Sequence, residues 1–214
     1  MLTIIGLGNP GKEYEKTRHN LGFLVLERFL KDFSQVQKTI WEESKKFKCD
    51  ISQIEWQRRT SHRSFSQALI EKVILVKPKT YMNNSGLCVE LVSSFYKIKP
   101  SDIWIIHDEI DLPLSSMKIR LGGGSAGHKG IMSTMNSLGT EKFWRFRFGI
   151  GHQKGIQKSK FKNQKLRNVD KFVLSEFDRG EIGKARELIK RGSKAIAEAL
   201  ENDIEKAMNR FNTK

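Results

Sequence analysis

Cysteine, proline and acidic charge are all scarce in this sequence. Its 214 residues include two Cys and four Pro, and 24 Asp and Glu stand against 39 Lys and Arg. The two cysteines, Cys49 and Cys88, form neither a disulfide framework nor a metal-ligand spacing, which suits a reducing cytoplasm. No apolar run approaches the roughly 20 residues that cross a bilayer, so no membrane partner is expected. The first residues enter a strand-like segment without a basic n-region or cleavage site, so no secretory leader is expected. No HExxH-type metal spacing occurs, and no Ser, Cys or Thr stands in a nucleophile-elbow context.

What remains in excess is positive charge, +15 at neutral pH. Such an excess attracts polyanions, and release of condensed counterions makes a phosphate backbone the favoured partner. Nucleic acid is the first candidate.

Apolar periodicity gives the coarse organisation. Leu2 to Leu7 reads as a strand, and Leu21 to Phe33 puts Leu21, Leu24, Val25, Phe29, Leu30 and Phe33 on one helical face. Val73 to Val76 and Ile103 to Ile106 are buried-strand runs, and Met117 to Leu121 reads as an edge strand. Leu87 to Tyr96 and Ile131 to Leu138 are helical, and Arg145 to Ile150 is a strand. A helix pattern fills 181–211, with breaks expected near Gly192 and Asn202. Two segments lack periodicity: a polar insertion at about 40–66 and a basic stretch at 152–168, expected to be a loop. Continuous apolar strands separated by helices predict one α/β domain over 1–214, a mixed, mostly parallel twisted sheet covered on both faces.

Within the first strand–helix unit lies GLGNPG, Gly6 to Gly11, a literal GxGxxG. In a dinucleotide turn the third glycine already lies in the phosphate-binding helix, and an acidic residue about 20 positions on ends the next strand. Here Pro10 disfavours helix at Asn9, helical periodicity starts at Leu21, and Glu27 falls inside that helix. The spacing therefore serves something else. It sets Asn9 past the C-terminal end of a strand, where open α/β sheets form clefts. His19 follows at the start of the helix, which Asn20 could cap. The partial positive charge of a helix N-terminus disfavours imidazolium, and a neutral ring accepts protons. Asp108 and Glu109, directly after the run IWII, reach the same edge of the sheet, where a carboxylate could orient His19. The plainer alternatives are a solvent-facing His19 and an Asp108 that caps a loop amide. A His–Asp pair without a protein nucleophile points to activated water, with Asn9 and Asn83 as neutral amides that hold a carbonyl or water. On these residues alone hydrolysis is one reading among several.

Five blocks in order carry a resemblance. GLGNPGKEYEKTRHNLGF, KPKTYMNNSG, HDEIDLP, GGGSAGHKG and FWRFRFGIGH resemble the signatures of the bacterial peptidyl-tRNA hydrolase family, and VLSEF resembles its C-terminal region. The likeness leaves out about 40–68 and 153–168. It implies hydrolysis of the ester between peptide and tRNA by a cytoplasmic monomer needing no metal, cofactor or obligate protein partner, and recycling of the tRNA.

The resemblance implies His19 as general base, Asp108 as its polarising partner, Asn9 as the residue distinguishing blocked from free aminoacyl-tRNA, and Asn83 as an anchor for substrate and water. Tyr14, Tyr81, Met82 and His128 fall where the 3′ end and peptide lie; an aromatic ring there would stack a splayed base. For Met82 the alternative is core packing. Arg120 and Arg147 match positions that grip tRNA phosphate. Lys154, Lys158, Lys160, Lys162, Lys165 and Arg167 either extend that grip or keep their loop solvated. Lys129 departs from the family pattern, which has asparagine after the histidine. A lysine there could donate to a phosphate or oxyanion. Its charge near His19 is expected to set the acid limb of the pH–rate profile lower than in Lys129→Asn. The glycine-rich loop and the helix at 131–138 are expected to form a mobile lid. The rival reading is an RNA-binding scaffold of the same fold with little or no catalysis, of the kind that serves organellar intron splicing.

Overall fold

The computed structural model describes residues 1–33, 40–58, 69–151 and 162–212. Among the described residues seven strands form one sheet in the order β2-β3-β4-β1-β5-β7-β6. The central strands β4 (Leu69–Pro78), β1 (Leu2–Gly6), β5 (Ile103–Glu109) and β7 (Trp144–Gly149) are parallel. Flanking them, β3 (Cys49–Arg58) pairs antiparallel with β4, β2 (Glu42–Ser44) with β3, and β6 (Met117–Leu121) with β7. Parallel strands must be covered on both faces. Helices α1 (Leu21–Phe33) and α5 (Ile182–Glu201) pack together on one face, and α2 (Ser85–Tyr96) and α3 (Lys129–Leu138) on the other.

Period-two alternation sorts the core. In β1, Ile4 joins Leu21, Val25, Phe29, Phe146, Phe148, Leu188 and Ile196 on the α1/α5 face. Its neighbour Ile5 joins Val76, Val89, Ile105, Ile131 and Phe143 on the α2/α3 face. Each fully buried large apolar side chain contributes about 1.5–3 kcal/mol relative to exposure, so the two layers together fix the sheet.

Three sequence expectations change. Of the polar stretch at about 40–66, residues 42–44 and 49–58 are strands β2 and β3, and 59–66 lie outside the described residues. The C-terminal helix breaks at Asn202, where Asp203 opens α6 (Ile204–Phe211) by accepting the Lys206 N–H at 2.6 Å. It does not break at Gly192, whose missing Cβ leaves room for the Phe148 ring; a Cβ there would lie 2.6 Å from that ring. The basic stretch is helical from 162 onward, as α4 (Lys162–Val173), and 152–161 lie outside the described residues.

Close approach is written into α1. A Cβ on Gly22 would sit 2.5 Å from the carbonyl oxygens of Ile106 and Leu7. Only glycine lets the first turn of α1 lie directly on the ends of β1 and β5. This contact brings the segment before α1 to the C-terminal edge of the sheet.

Candidate active site

His19 lies in a 3-10 turn, Arg18–Asn20, that runs into α1, and Asp108 lies near the end of β5. His19 Nδ1 stands 2.9 Å from Asp108 Oδ1, and the two side chains are 9% and 2% exposed. The carboxylate accepts, so the neutral His19 ring carries its proton on Nδ1. Its Nε2 lone pair is then left for a water proton. Oδ1 has a second donor. His128 Nε2 is also 2.9 Å away, while His128 Nδ1 accepts the Ile131 N–H at 3.2 Å and caps α3. The cap fixes the His128 tautomer, so Nε2 donates. One oxygen thus gathers two imidazole N–H groups. Burial opposes the Asp108 charge, but the neighbouring His19 and His128 outweigh it and hold the carboxyl well below the usual carboxylate range.

A third imidazole completes the cluster. His107 is buried, donates from Nδ1 to the Asp108 carbonyl at 2.7 Å, and sets its ring edge-on to His128, with centroids 4.8 Å apart. Burial, with His128 adding to it, holds His107 well below its ordinary value, so it stays neutral.

His19, Asp108 and His128 offer three atoms within 4.8 Å of one another that could hold a metal ion. Their protons are committed otherwise: both facing nitrogens donate to Oδ1, and a metal on His128 Nε2 would turn Nδ1 from acceptor to donor against the α3 cap. The donor set fits hydrogen bonding better than ligation. Cys88 offers no nucleophile either, since the hydrogen bond its thiol donates to Cys49 and its burial push that thiol far up.

Asn9 is held on three sides. Its N–H donates to Asn20 Oδ1 at 2.8 Å, its carbonyl accepts from Asn20 Nδ2 at 2.9 Å, and its own Oδ1 accepts the Met82 N–H at 2.7 Å. With Oδ1 taken, Nδ2 is the donor left for a ligand. Asn20 therefore spends its side chain on Asn9 rather than on capping α1. Nor does a side chain cap α2: Ser85 Oγ donates back to the Tyr81 and Met82 carbonyls, and the Asn84 side chain makes no cap bond.

Tyr81 adopts φ 59°, ψ 159°, a conformation costly for a residue with a side chain and one that concentrates at functional sites. It is 51% exposed and meets Tyr14 edge-on at 6.4 Å. Asn83 is exposed in the following turn, and Met82 is 4% exposed in the α2/α3 core, in line with the packing alternative.

The basic residues divide. Arg120 is exposed on β6, but Arg147 is engaged, its Nε and Nη2 donating to Glu109 Oε2 at 3.1 and 3.0 Å. Lys129 Nζ lies 2.9 Å from the Asp170 carboxylate of α4, so its charge is compensated, contrary to the expectation of an unbalanced cation beside His19. Lys154, Lys158 and Lys160 lie outside the described residues, and Lys162, Lys165 and Arg167 are on α4. The expected lid also reads differently. Helix α3 is seated in the core through buried Ile131 and Thr134, and Gly86 N–H donates to Ser133 Oγ at 2.9 Å.

Sequence reasoning missed two anchors. Arg18, 3% exposed, lies between the Phe172 and Phe177 rings at 4.5 and 4.7 Å and pairs with Glu181 at 2.5 Å, fastening the His19 turn to α4 and α5. Arg145, on β7, is buried beneath the glycine-rich loop, where burial pushes its guanidinium down to about 10. For Arg145 the signal was a basic residue flanked by Trp144 and Phe146, which a surface-charge reading passes over; nothing in the sequence around Arg18 marks it.

The family model described as peptidyl-tRNA hydrolase matches residues 3–214. The chain is 38% identical over 209 residues to a peptidyl-tRNA hydrolase of Aquifex aeolicus, covering 98% of this chain and 95% of that one. It is 39% identical over 214 residues to that of Geobacillus thermodenitrificans, covering 99% and 100%. The crystal structure of peptidyl-tRNA hydrolase from Acinetobacter baumannii superposes with a TM-score of 0.81 at 30% identity, covering 100% of this chain and 95% of that one. With a model match that spans the sheet, the His–Asp centre and the C-terminal helices alike, this chain belongs to the peptidyl-tRNA hydrolase family.

Proposed function

We propose that the protein hydrolyses the ester joining a peptide, or an N-blocked aminoacyl group, to the 3′ end of tRNA, using water activated by His19. The observation that carries this reading is the shared oxygen of Asp108: it takes the Nδ1–H of His19 and leaves Nε2 as the basic atom. His19 Nε2 accepts a proton from water as the hydroxide oxygen attacks the ester carbonyl carbon. The tetrahedral oxyanion is met by the amide donors of Asn9 and Asn83. Its collapse breaks the bond to the ribose oxygen, which leaves with the proton returned from His19 Nε2. Asp108 stays ionised throughout and stabilises the transient imidazolium.

Tyr14 and Tyr81 frame the approach for the terminal bases, and Arg120 with the wider positive excess attracts the phosphate backbone. The cytoplasm, where peptidyl-tRNA arises, is the fitting location, and among the described residues no helix is long and apolar enough to cross a membrane.

Purified protein incubated with N-acetyl-aminoacyl-tRNA and with unblocked aminoacyl-tRNA tests the reading. Release of the acyl group from the blocked substrate supports it. Tight tRNA binding with no release from either would instead establish the scaffold reading.

A further inference from the structure

The glycine-rich loop presents a conformational problem. Gly122, Gly123, Ala126 and Gly127 all have positive φ, at 64°, 97°, 49° and 80°. The loop's glycines have wide freedom, because glycine visits these conformations as readily as others, whereas Ala126 is held at a costly φ. Yet the loop ends in His128, whose ring must meet Asp108 Oδ1 and the Ile131 N–H at once. Something has to hold the loop.

Arg145 is placed to do so. Its Nη1 donates to the Gly124 carbonyl at 2.8 Å, and its Nη2 donates to the adjacent Gly123 carbonyl. The planar guanidinium spans two consecutive carbonyls as one rigid fork, which an ammonium could not do. The side chain is itself fixed: it is 2% exposed, with its guanidinium carbon 4.8 Å from the Phe143 ring centre. Phe143 also accepts the Gly122 N–H at 3.0 Å through its carbonyl, so the loop's first residue is tied to the same strand entry. From above, Arg120, the cross-strand neighbour of Arg145, lays its guanidinium where a Gly123 side chain would be. Arg145 is thus a cation turned inward, beneath the loop, on a strand whose other arginine, Arg147, is spent on Glu109.

We propose that Arg145 is a positioning residue: its two bonds to the Gly123 and Gly124 carbonyls hold the loop so that His128 reaches Asp108. It acts on catalysis without touching tRNA. His128 fills one of the two donor positions on Asp108 Oδ1, so a loosened loop lets the carboxylate swing and misaligns the Nδ1–H bond of His19.

Three variants test this. In Arg145→Ala and Arg145→Lys, the nitrogen-15 NMR signals of His128 should lose the fixed Nε2–H tautomer and average. Backbone amides of 122–128 should exchange faster, with the sheet amides unchanged. In Arg147→Ala they should not. The kinetic arm rests on the hydrolase reading. There, kcat should fall about 10- to 100-fold, the scale of a reacting group misplaced by roughly an ångström, while KM and tRNA affinity stay put. Guanidinium ion should restore part of the kcat of Arg145→Ala. A weakened, less salt-dependent tRNA affinity with wild-type kcat would overturn the proposal by making Arg145 a phosphate contact. Unchanged His128 signals in a folded Arg145→Lys would overturn it too, whatever the wild-type protein does to peptidyl-tRNA. Failure of the wild type to hydrolyse would instead count against the proposed function. Should Arg145→Ala fail to fold, Arg145→Lys carries both arms.

Discussion

Replacing Asp108 with asparagine keeps an acceptor in place and removes its charge. The proposed mechanism starts from a neutral His19 ring, and an amide oxygen can still accept its Nδ1–H. The difference falls on the transition state, when the ring becomes cationic 2.9 Å from the carboxylate. At an effective dielectric of about 20, unit charges at that distance attract by roughly 6 kcal/mol. Mutational values for charge-assisted hydrogen bonds reach about 3 kcal/mol. At about 1.4 kcal/mol per tenfold in rate, these bracket a fall in kcat of about 10²- to 10⁴-fold for Asp108→Asn. Single-turnover hydrolysis of N-acetyl-aminoacyl-tRNA reads it, with tRNA affinity measured alongside and expected to match wild type. A loss of less than about threefold in kcat, or a loss confined to KM, would refute the reasoning, since it would mean no charge develops on His19.

Other outcomes follow from the same geometry. Gly22→Ala places a Cβ 2.5 Å from the backbone oxygens of Ile106 and Leu7, so α1 must shift; denaturant melts should show a loss of about 1–3 kcal/mol, and kcat should fall as His19 leaves Asp108. Asp108 and Glu181 both have folded carboxyls held below their ordinary values, so they contribute stability above the unfolded value and lose it as pH falls. Acid titration of stability should therefore decline from about pH 4 downward, and less steeply in Asp108→Asn. Lys129→Asn breaks an exposed pair with Asp170 and should change stability by less than about 1 kcal/mol. Because both members of that pair are about half exposed and screened by solvent, the acid limb of its pH–rate profile should coincide with wild type, which reverses the expectation drawn from sequence.

The central strands were legible because β1 and β5 are buried on both faces and read as unbroken apolar runs. Strand β3 was not. Cys49 and Ile51 point into the α2/α3 layer, whereas Ile54 and Trp56, further along, serve the α1/α5 layer. The apolar positions change face midway, so neither a single alternation nor a solid run survives. His19 and Asp108 could be placed from strand ends alone. That His128 would be the second donor to the same oxygen could not, because the partners are 20 residues apart and meet through a loop of positive-φ residues. Arg147 and Lys129 looked free because their acidic partners, Glu109 and Asp170, are set beside them by strand pairing and by α4.

Hydrolysis by the proposed route turns on one basic nitrogen, Nε2 of His19. Comparing wild type with His19→Ala on N-acetyl-aminoacyl-tRNA, at saturating protein and in a single turnover, addresses it directly. Release of the acyl group by wild type, with release abolished and tRNA affinity retained in His19→Ala, is the expected result. Hydrolysis at an undiminished rate without that ring would contradict the account.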